Sequence, residues 1–356
     1  IPVIPLLLSG SYSFPRTPFD IPIAIFMITA GVGVWAAYDR QDACGKFWLL
    51  LGAVLLFYAL ASQPVANQWI IAGLLTTLGT IVAVAFLLTH DFIEYPIKFA
   101  PIYQIGIWLT AIRPQVFISI MHPNRAAGVI AMMLPFVGAI AFRVWRKKII
   151  FLIALVVAAA FIMSLSLLLT SSRGALIAIL ISAALWAIWG VSKFLAIFHQ
   201  RQGRIISFFL IIGLVSMIII AINFPISAES FDRLLPGPAS AGSRLDVAAD
   251  GIKIIQDYPF TGAGLGSFAG NYSQYILVIP YFIFDNGHNL LIDIGVDQGW
   301  FGLIAFVIIF FGSALYLLLQ ASSLNSPMTP LTKLLSWSAL TSILVISFHG
   351  LVTDVI

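Results

Sequence analysis

Three side chains in this sequence could do chemistry that the rest of the chain cannot. Arg173 sits in "TSSRGALIAIL" (170–180), between two strongly apolar runs, 149–169 and 175–189. Arg244 sits in "GSRLDVAADGIKII" (242–255), and His288 in "DNGHNLLIDIGVDQGWFGLIAF" (285–306). An arginine fork grips phosphate or carboxylate through two parallel hydrogen bonds. An imidazole changes protonation near neutral pH and can accept a proton from a reacting hydroxyl. Two arginines and a histidine on one membrane face would make an anion site with a general base. Each residue also has a plainer reading: Arg173 as a snorkelling helix-end anchor, Arg244 as a solvated surface charge, His288 as a structural histidine.

The surroundings sharpen the question. Ionisable groups within a membrane span usually face a polar cavity and a partner. No acid lies near Arg173 in sequence, so its partner comes from elsewhere in the chain or from an anionic ligand. Small neighbours, "TSS" before it and "GA" after it, permit close approach. Ser243 reads as a helix cap with Asp246 at the third helical position. Arg244 would then occupy the first turn, against the helix dipole, unless it reaches an anion drawn to the same terminus. Asp246 and Asp250 read only weakly as a metal pair, because no third ligand is evident. "YPFTGAGLGSF" (258–268) reads first as a turn and loop, with phosphate cradling a weak option. His288 falls where a loop meets a helix, and Asn289 or Asp293 could fix its tautomer.

These residues need a scaffold, and composition supplies its class. The 356 residues are 61% hydrophobic and 9% charged, with mean hydropathy +1.05. An ordinary soluble domain is about a quarter charged. We read an all-α polytopic membrane protein with roughly 10–12 transmembrane helices. Apolar stretches of spanning length lie near 20–37, 47–62, 69–89, 126–142, 149–169, 174–190, 205–223, 299–320 and 333–353. Residues 1–223 form an N-terminal bundle, irregular over 90–125. Residues 224–290 form one large extracytoplasmic loop, and 291–356 the C-terminal helices.

The net charge of +4 and pI of about 9.2 do not signal nucleic-acid binding, because the basic residues sit mostly in short loops. "RVWRKK" (143–148) and "KFLAIFHQRQGR" (193–204) are both basic and both belong in the cytoplasm by the positive-inside rule. Arg173 and the 224–290 loop then lie on the outer face. Residues 38–46 lie outside if 90–125 does not span, and inside if 102–120 does. One cysteine, Cys44, excludes an internal disulfide. "IPVIPLLLSG" (1–10) has no basic region ahead of it and is not read as a cleavable signal.

Five segments together carry a family resemblance: "HPNRAAGVIAMMLPF" (122–136), "SSRGALIA" (171–178), "SRLDVAADGIKIIQDYPFTGAGLGSF" (243–268), "HNLLIDIGVDQGWFGL" (288–303) and "FHGLVTDVI" (348–356). Their set and order resemble the O-antigen ligase and O-antigen polymerase superfamily. The resemblance implies a bacterial cytoplasmic-membrane protein similar to multi-spanning, GT-C-like glycosyltransferases, with its site facing outward. It implies transfer of a glycan from an undecaprenyl-pyrophosphate carrier to a hydroxyl of a glycan, a lipid or a protein. Arg173 and Arg244 match the pyrophosphate-gripping arginines and His288 the acceptor-activating histidine. Arg233, Asn289, Arg125, Arg40 and Lys46 are possible supporting residues.

No DxD metal motif occurs in the chain, which fits a metal-independent, cofactor-free, inverting transfer. Inorganic-carbon transporter-like members of the superfamily share the motifs, so a bicarbonate-like anion transporter stands as an alternative. A non-catalytic subunit of a membrane complex stands as another.

Overall fold

A computed structural model describes residues 15–94, 100–113, 121–198, 241–275, 287, 289–322 and 329–351. The span read at 205–223, with Arg233 and His288, lies outside the described residues. Among the described residues the regular structure is helical throughout: α1 (Asp20–Ala36), α2 (Arg40–Ala61), α3 (Gln68–Thr89), α4 (Ala100–Ile112), α5 (Pro123–Lys147), α6 (Ile150–Leu169), α7 (Arg173–Phe198), α8 (Ala241–Asp257), α9 (Phe268–Tyr275), α10 (Leu290–Ser322) and α11 (Pro330–Gly350). A 3₁₀ turn, Val65–Asn67, leads into α3. Six described helices are long and apolar enough to cross a membrane; Asp20–Ala36, Ile102–Ile112 and Arg173–Trp186 are shorter apolar stretches. The chain is an all-α, multi-pass membrane protein.

Two compact units interleave along the chain. One holds Ile1–Leu74, Ala248–Gly287 and Leu291–Gln320; the other holds Leu75–Val247, His288–Leu290 and Ala321–Ile356.

In the first unit, α1 and α2 form an antiparallel hairpin. Asp39 caps α2 by accepting from the amides of Gln41 (2.8 Å) and Asp42 (3.2 Å). That cap carries the helix back through polar "RQDACGK", ahead of the apolar stretch read from residue 47. At the far end Tyr58 donates to Asp20 Oδ1 at 2.9 Å, joining the end of α2 to the start of α1. Helix α10 has 33 residues, about 50 Å at 1.5 Å per residue, more than one bilayer crossing needs. It breaks at Gly299 (φ 68°, ψ −168°), a backbone region essentially restricted to glycine. A Cβ there would meet Pro259 O at 2.6 Å. The break divides a buried leading segment, 290–298, from the long apolar span.

In the second unit, α3, α5, α6, α7 and α11 bundle around Phe86, Phe92, Ile130, Met163, Leu167 and Val345, with alanines between them. Small residues set the close approach: a Cβ on Gly79 would lie 2.7 Å from Met133 Cβ. Ser166 Oγ donates to Ala83 O (3.3 Å) and Ser342 Oγ to Met132 O (2.6 Å), tying helices together at membrane depth.

The uncertain stretch 90–125 resolves here. Arg113, just past α4, donates to Leu88 O (3.1 Å) and His90 O (2.5 Å) and pairs with Asp91 (3.2 Å). Phe92 N–H also donates to Thr110 Oγ1 (3.1 Å). The chain leaves the end of α3 and returns to it within 23 residues, so 90–113 does not cross the bilayer. The seven residues 114–120 are too few to cross a bilayer, so α5 starts on the face where α3 ends. Counting back through α3 and α2 puts residues 38–46 on that same face, opposite "RVWRKK" at the end of α5.

Candidate functional site

The best-formed site within the second unit is the start of α7. Helix α6 ends at Leu169, and three residues turn the chain into α7. Thr170 Oγ1 donates to Leu167 O (2.7 Å). Ser171 takes a left-handed backbone, φ 50°, which lets the chain reverse so tightly. Ser172 O then accepts from Leu176 N (3.1 Å), opening the helix. Ser172 therefore holds the capping position, yet its hydroxyl caps nothing. The Oγ atoms of Ser171 and Ser172 are both buried and have no hydrogen-bond partner among the described residues. A buried hydroxyl without a partner costs about 1–3 kcal/mol, and in a native fold such groups await an explanation.

Arg173 follows at the first helical position, half-buried, with no ion-pair or hydrogen-bond partner among the described residues. The leading amides of a helix have no intrahelical acceptors and carry the positive end of its dipole. The turn into α7 thus holds leading amides, two buried hydroxyls without partners and an unpaired guanidinium on three consecutive residues and the helix they open. The guanidinium and the leading amides can only donate, and the two hydroxyls can donate as well as accept. The complementary ligand is an oxyanion with several acceptor oxygens, and phosphate fits that description.

Neighbouring elements of this unit bring further polar groups to the same face. His122 Nδ1 accepts from Asn124 N (3.3 Å) and caps α5, with exposed Arg125 in its first turn. His349, fully buried near the end of α11, lies 3.1 Å through Nε2 from Asn124 O. Asn289 Nδ2 donates to Leu351 O (3.2 Å), just past α11. His349 carried no distinguishing signal in sequence beyond its place in the last motif. Its burial and its link to α5 emerge only in three dimensions.

Below this face, α5, α7 and α11 enclose an apolar groove of about 500 Å³. Its walls include Leu134, Pro135, Ile179 and Val345, with Trp186 and Trp337 at its end. The two indoles meet edge to face at 4.9 Å. Trp186 Nε1 donates to Thr341 Oγ1 (2.9 Å), so its polar edge is satisfied and its apolar body is free to line the groove. Along α7 the groove runs from roughly 9 to 20 Å past Arg173.

The glycine-rich segment has a different role from the phosphate loop weighed in the sequence. Gly262 N donates to Tyr258 O (3.1 Å), Ala263 N to Val296 O (2.7 Å), Leu265 N to Gly33 O (2.9 Å) and Ser267 N to Gly264 O (3.1 Å). Gly266 N donates to Asp297 Oδ1 (2.8 Å). These five amides are spent on the protein, so the loop is a wedge between α1 and the break in α10. Gly264 (φ 111°) touches α1 so closely that a Cβ would collide with Ala37 Cα.

The other sequence candidates fall as follows. Lys46 is turned to Asp297, Nζ to Oδ2 at 2.6 Å, so its charge already has a protein partner. Arg40 opens α2 and is exposed. Helix α8 begins at Ala241, so Ser243 lies inside it rather than at its cap, with Arg244 still in the first turn. Asp250 pairs with Lys253 at 2.8 Å, and that carboxylate, through a hydrogen bond and charge, holds the Lys253 ammonium above its usual range. The metal pair read from Asp246 and Asp250 is correspondingly weakened.

The fold is that of a multi-pass membrane protein, and its helix α7 opens on polar groups without partners among the described residues. Residues 158–307 match the family described as O-Antigen ligase. That match supports the superfamily resemblance read from the motifs. It encloses Arg173, Arg244 and His288. No curated protein matches the chain.

Proposed function

We propose that the protein transfers a glycan from an undecaprenyl-pyrophosphate carrier to an acceptor hydroxyl, at the outer face of a bacterial cytoplasmic membrane. The observation that carries this reading is the start of α7, where the unpartnered Arg173 meets two buried, unpartnered serine hydroxyls. These groups hold the pyrophosphate, and Arg244 adds a second fork. The groove below Arg173 seats the first isoprene units of the carrier. The acceptor oxygen attacks the anomeric carbon and its proton passes to His288. The bond from that carbon to the pyrophosphate oxygen breaks as the new glycosidic bond forms. Charge growing on the leaving pyrophosphate is met by donors already in place, so little reorganisation opposes the step. One displacement inverts the anomeric centre, and no metal or cofactor takes part.

An anion transporter would use a broken helix as its ion site. The break in α10 is instead filled by protein, with Trp300 N donating to Pro259 O at 2.8 Å.

The test is turnover in proteoliposomes containing an undecaprenyl-pyrophosphate glycan and a panel of hydroxyl acceptors. Wild-type protein releases undecaprenyl pyrophosphate and yields product of inverted configuration, while Arg173→Ala and His288→Ala do not. Uptake of bicarbonate without release of carrier would overturn the reading.

A further inference from the structure

We propose that the ion pair Lys46–Asp297 is a positioning device: it fixes the leading segment of α10, which holds Gly287, the residue before His288, and supports helix α8. The inference rests on the proposed role of His288.

Asp297 is almost fully buried, and both its oxygens are used. Oδ2 meets Lys46 Nζ at 2.6 Å and Oδ1 accepts from Gly266 N at 2.8 Å. The carboxylate therefore ties three separate elements: α2, the glycine-rich wedge and the segment 290–298. The same short segment is held by its neighbours on either side. Val296 O accepts from Ala263 N (2.7 Å), and the buried Gln298 Oε1 accepts from Thr29 Oγ1 (2.8 Å). It is only nine residues long before the Gly299 break, too short to be held by its own helical propensity. What orients it is this set of directional bonds.

Two site-bearing stretches rest on it. Asp293 lies one turn before Asp297 on the same helix face, and its Oδ1 accepts from Gly287 N at 2.6 Å. Gly287 directly precedes His288. It is packed tightly against that segment: a Cβ would sit 3.1 Å from Asp293 Oδ1 and from Ile292 Cγ2. The backbone that leads to His288 is thus held, at Gly287, by the segment that Asp297 anchors. Helix α8, which carries Arg244 in its first turn, rests on the same surface, because a Cβ on Gly251 would lie 2.5 Å from Ile292 Cγ2 and one on Gly295 2.6 Å from Ile255 Cδ1.

Stability alone does not explain a pair whose carboxylate is buried, although its lysine side chain keeps 29% exposure. Replacing such a pair by apolar residues of similar size is often neutral or stabilising, whereas breaking it from one side is strongly destabilising. Directional bonds specify rotation and register, which apolar contacts specify less sharply. A misplacement of about 1 Å at a catalytic group can lower a rate about a hundredfold.

The experiment compares Lys46→Met, Asp297→Asn, Lys46→Arg and the double variant Lys46→Met/Asp297→Leu with wild type in full-length protein in proteoliposomes. Thermal stability and kcat/KM for the acceptor are measured per mole of folded protein. The double variant is expected to be more stable than Lys46→Met, short of wild type by the hydrogen bond that Gly266 N loses, while kcat/KM for the acceptor stays about ten- to a hundredfold low. Lys46→Arg, which keeps the charge, is expected to restore most of that rate. Full activity returning with stability in the double variant would reduce the pair to a structural contact and overturn the proposal. His288→Ala, run in parallel, separates the two failures. An inactive His288→Ala beside fully active pair variants sinks only the positioning role. An active His288→Ala sinks the reading on which that role rests.

Discussion

Arg173 was legible as a functional residue because a permanent cation between two apolar runs is costly without a partner. The serines before it were not, since "TSS" reads equally as small packing residues or as a cap. Only their hydroxyls, buried and without partners among the described residues, separate them from ordinary capping serines. The result is a prediction with opposite signs on two axes. Ser172→Ala removes a buried unsatisfied hydroxyl, so the fold should gain about 1 kcal/mol, read as a rise in Tm. The same change should weaken undecaprenyl pyrophosphate binding about tenfold. A loss of stability would show that the hydroxyl has a protein partner after all. Lys46 teaches the reverse lesson. Sequence could ask only whether its loop faced in or out, because its partner stands 251 positions away. His288 remains a reading from motif and context, with its neighbours Gly287 and Asn289 placed by Asp293 and Leu351. Asp91 carries a pH signature of its own. The Glu94 amide, with help from the Ile93 amide and Arg113, holds its carboxyl below the usual carboxylate range. A group whose folded pKa is depressed stabilises the fold above its unfolded pKa, and that contribution fades as pH falls through the folded value. The turn joining α3 to α4 should therefore loosen below about pH 4. Amide exchange at Phe92 and Ile93 should rise there in wild type, and at neutral pH in Asp91→Asn.

At the scale of elements, the long apolar runs predicted α3, α5, α6, α7 and α11 closely, because twenty apolar residues have few alternatives in lipid. The misses occur where a polar group overrules hydropathy. Helix α2 begins at Arg40, seven residues before the apolar run, because Asp39 caps it. Residues 90–125 could not be assigned from composition, since the bonds that fold α4 back come from Arg113 to carbonyls more than twenty residues earlier. Helix α10 begins at Leu290, where the sequence has a loop meeting a helix, but the apolar span read from 299 gave no sign of the break at Gly299. That break is testable. Gly299→Ala forces a Cβ into a backbone region and a contact that only glycine tolerates. It should cost about 1–3 kcal/mol from backbone strain alone. Gly302, in the helical stretch beyond the break, is a poor control because its own Cβ would meet Gln298. Gly312→Ala is better, since its nearest neighbour, Phe19 Cε1, lies 3.2 Å away. A Tm unchanged in Gly299→Ala would contradict the break.

For the whole molecule, composition alone announced an all-α membrane protein. It did not announce two units that interleave, because nothing local marks residues 248–287 and 291–320 as companions of the first 74. The topology is open to direct check. Cys44 is the sole cysteine, so Cys44→Ser provides a clean background. A cysteine at Tyr38 should react with a membrane-impermeant maleimide from outside intact cells, and one at Lys148 only after permeabilisation. Equal labelling of both would refute the crossing count. The most direct measurement of the central claim is the affinity of nanodisc-embedded protein for undecaprenyl pyrophosphate, with Arg173→Ala and Arg173→Lys beside wild type. Arg173→Ala is expected to lose at least about a hundredfold and Arg173→Lys about tenfold, because lysine keeps the charge but not the fork. Undiminished binding by a folded Arg173→Ala protein would show that the start of α7 does not hold the pyrophosphate.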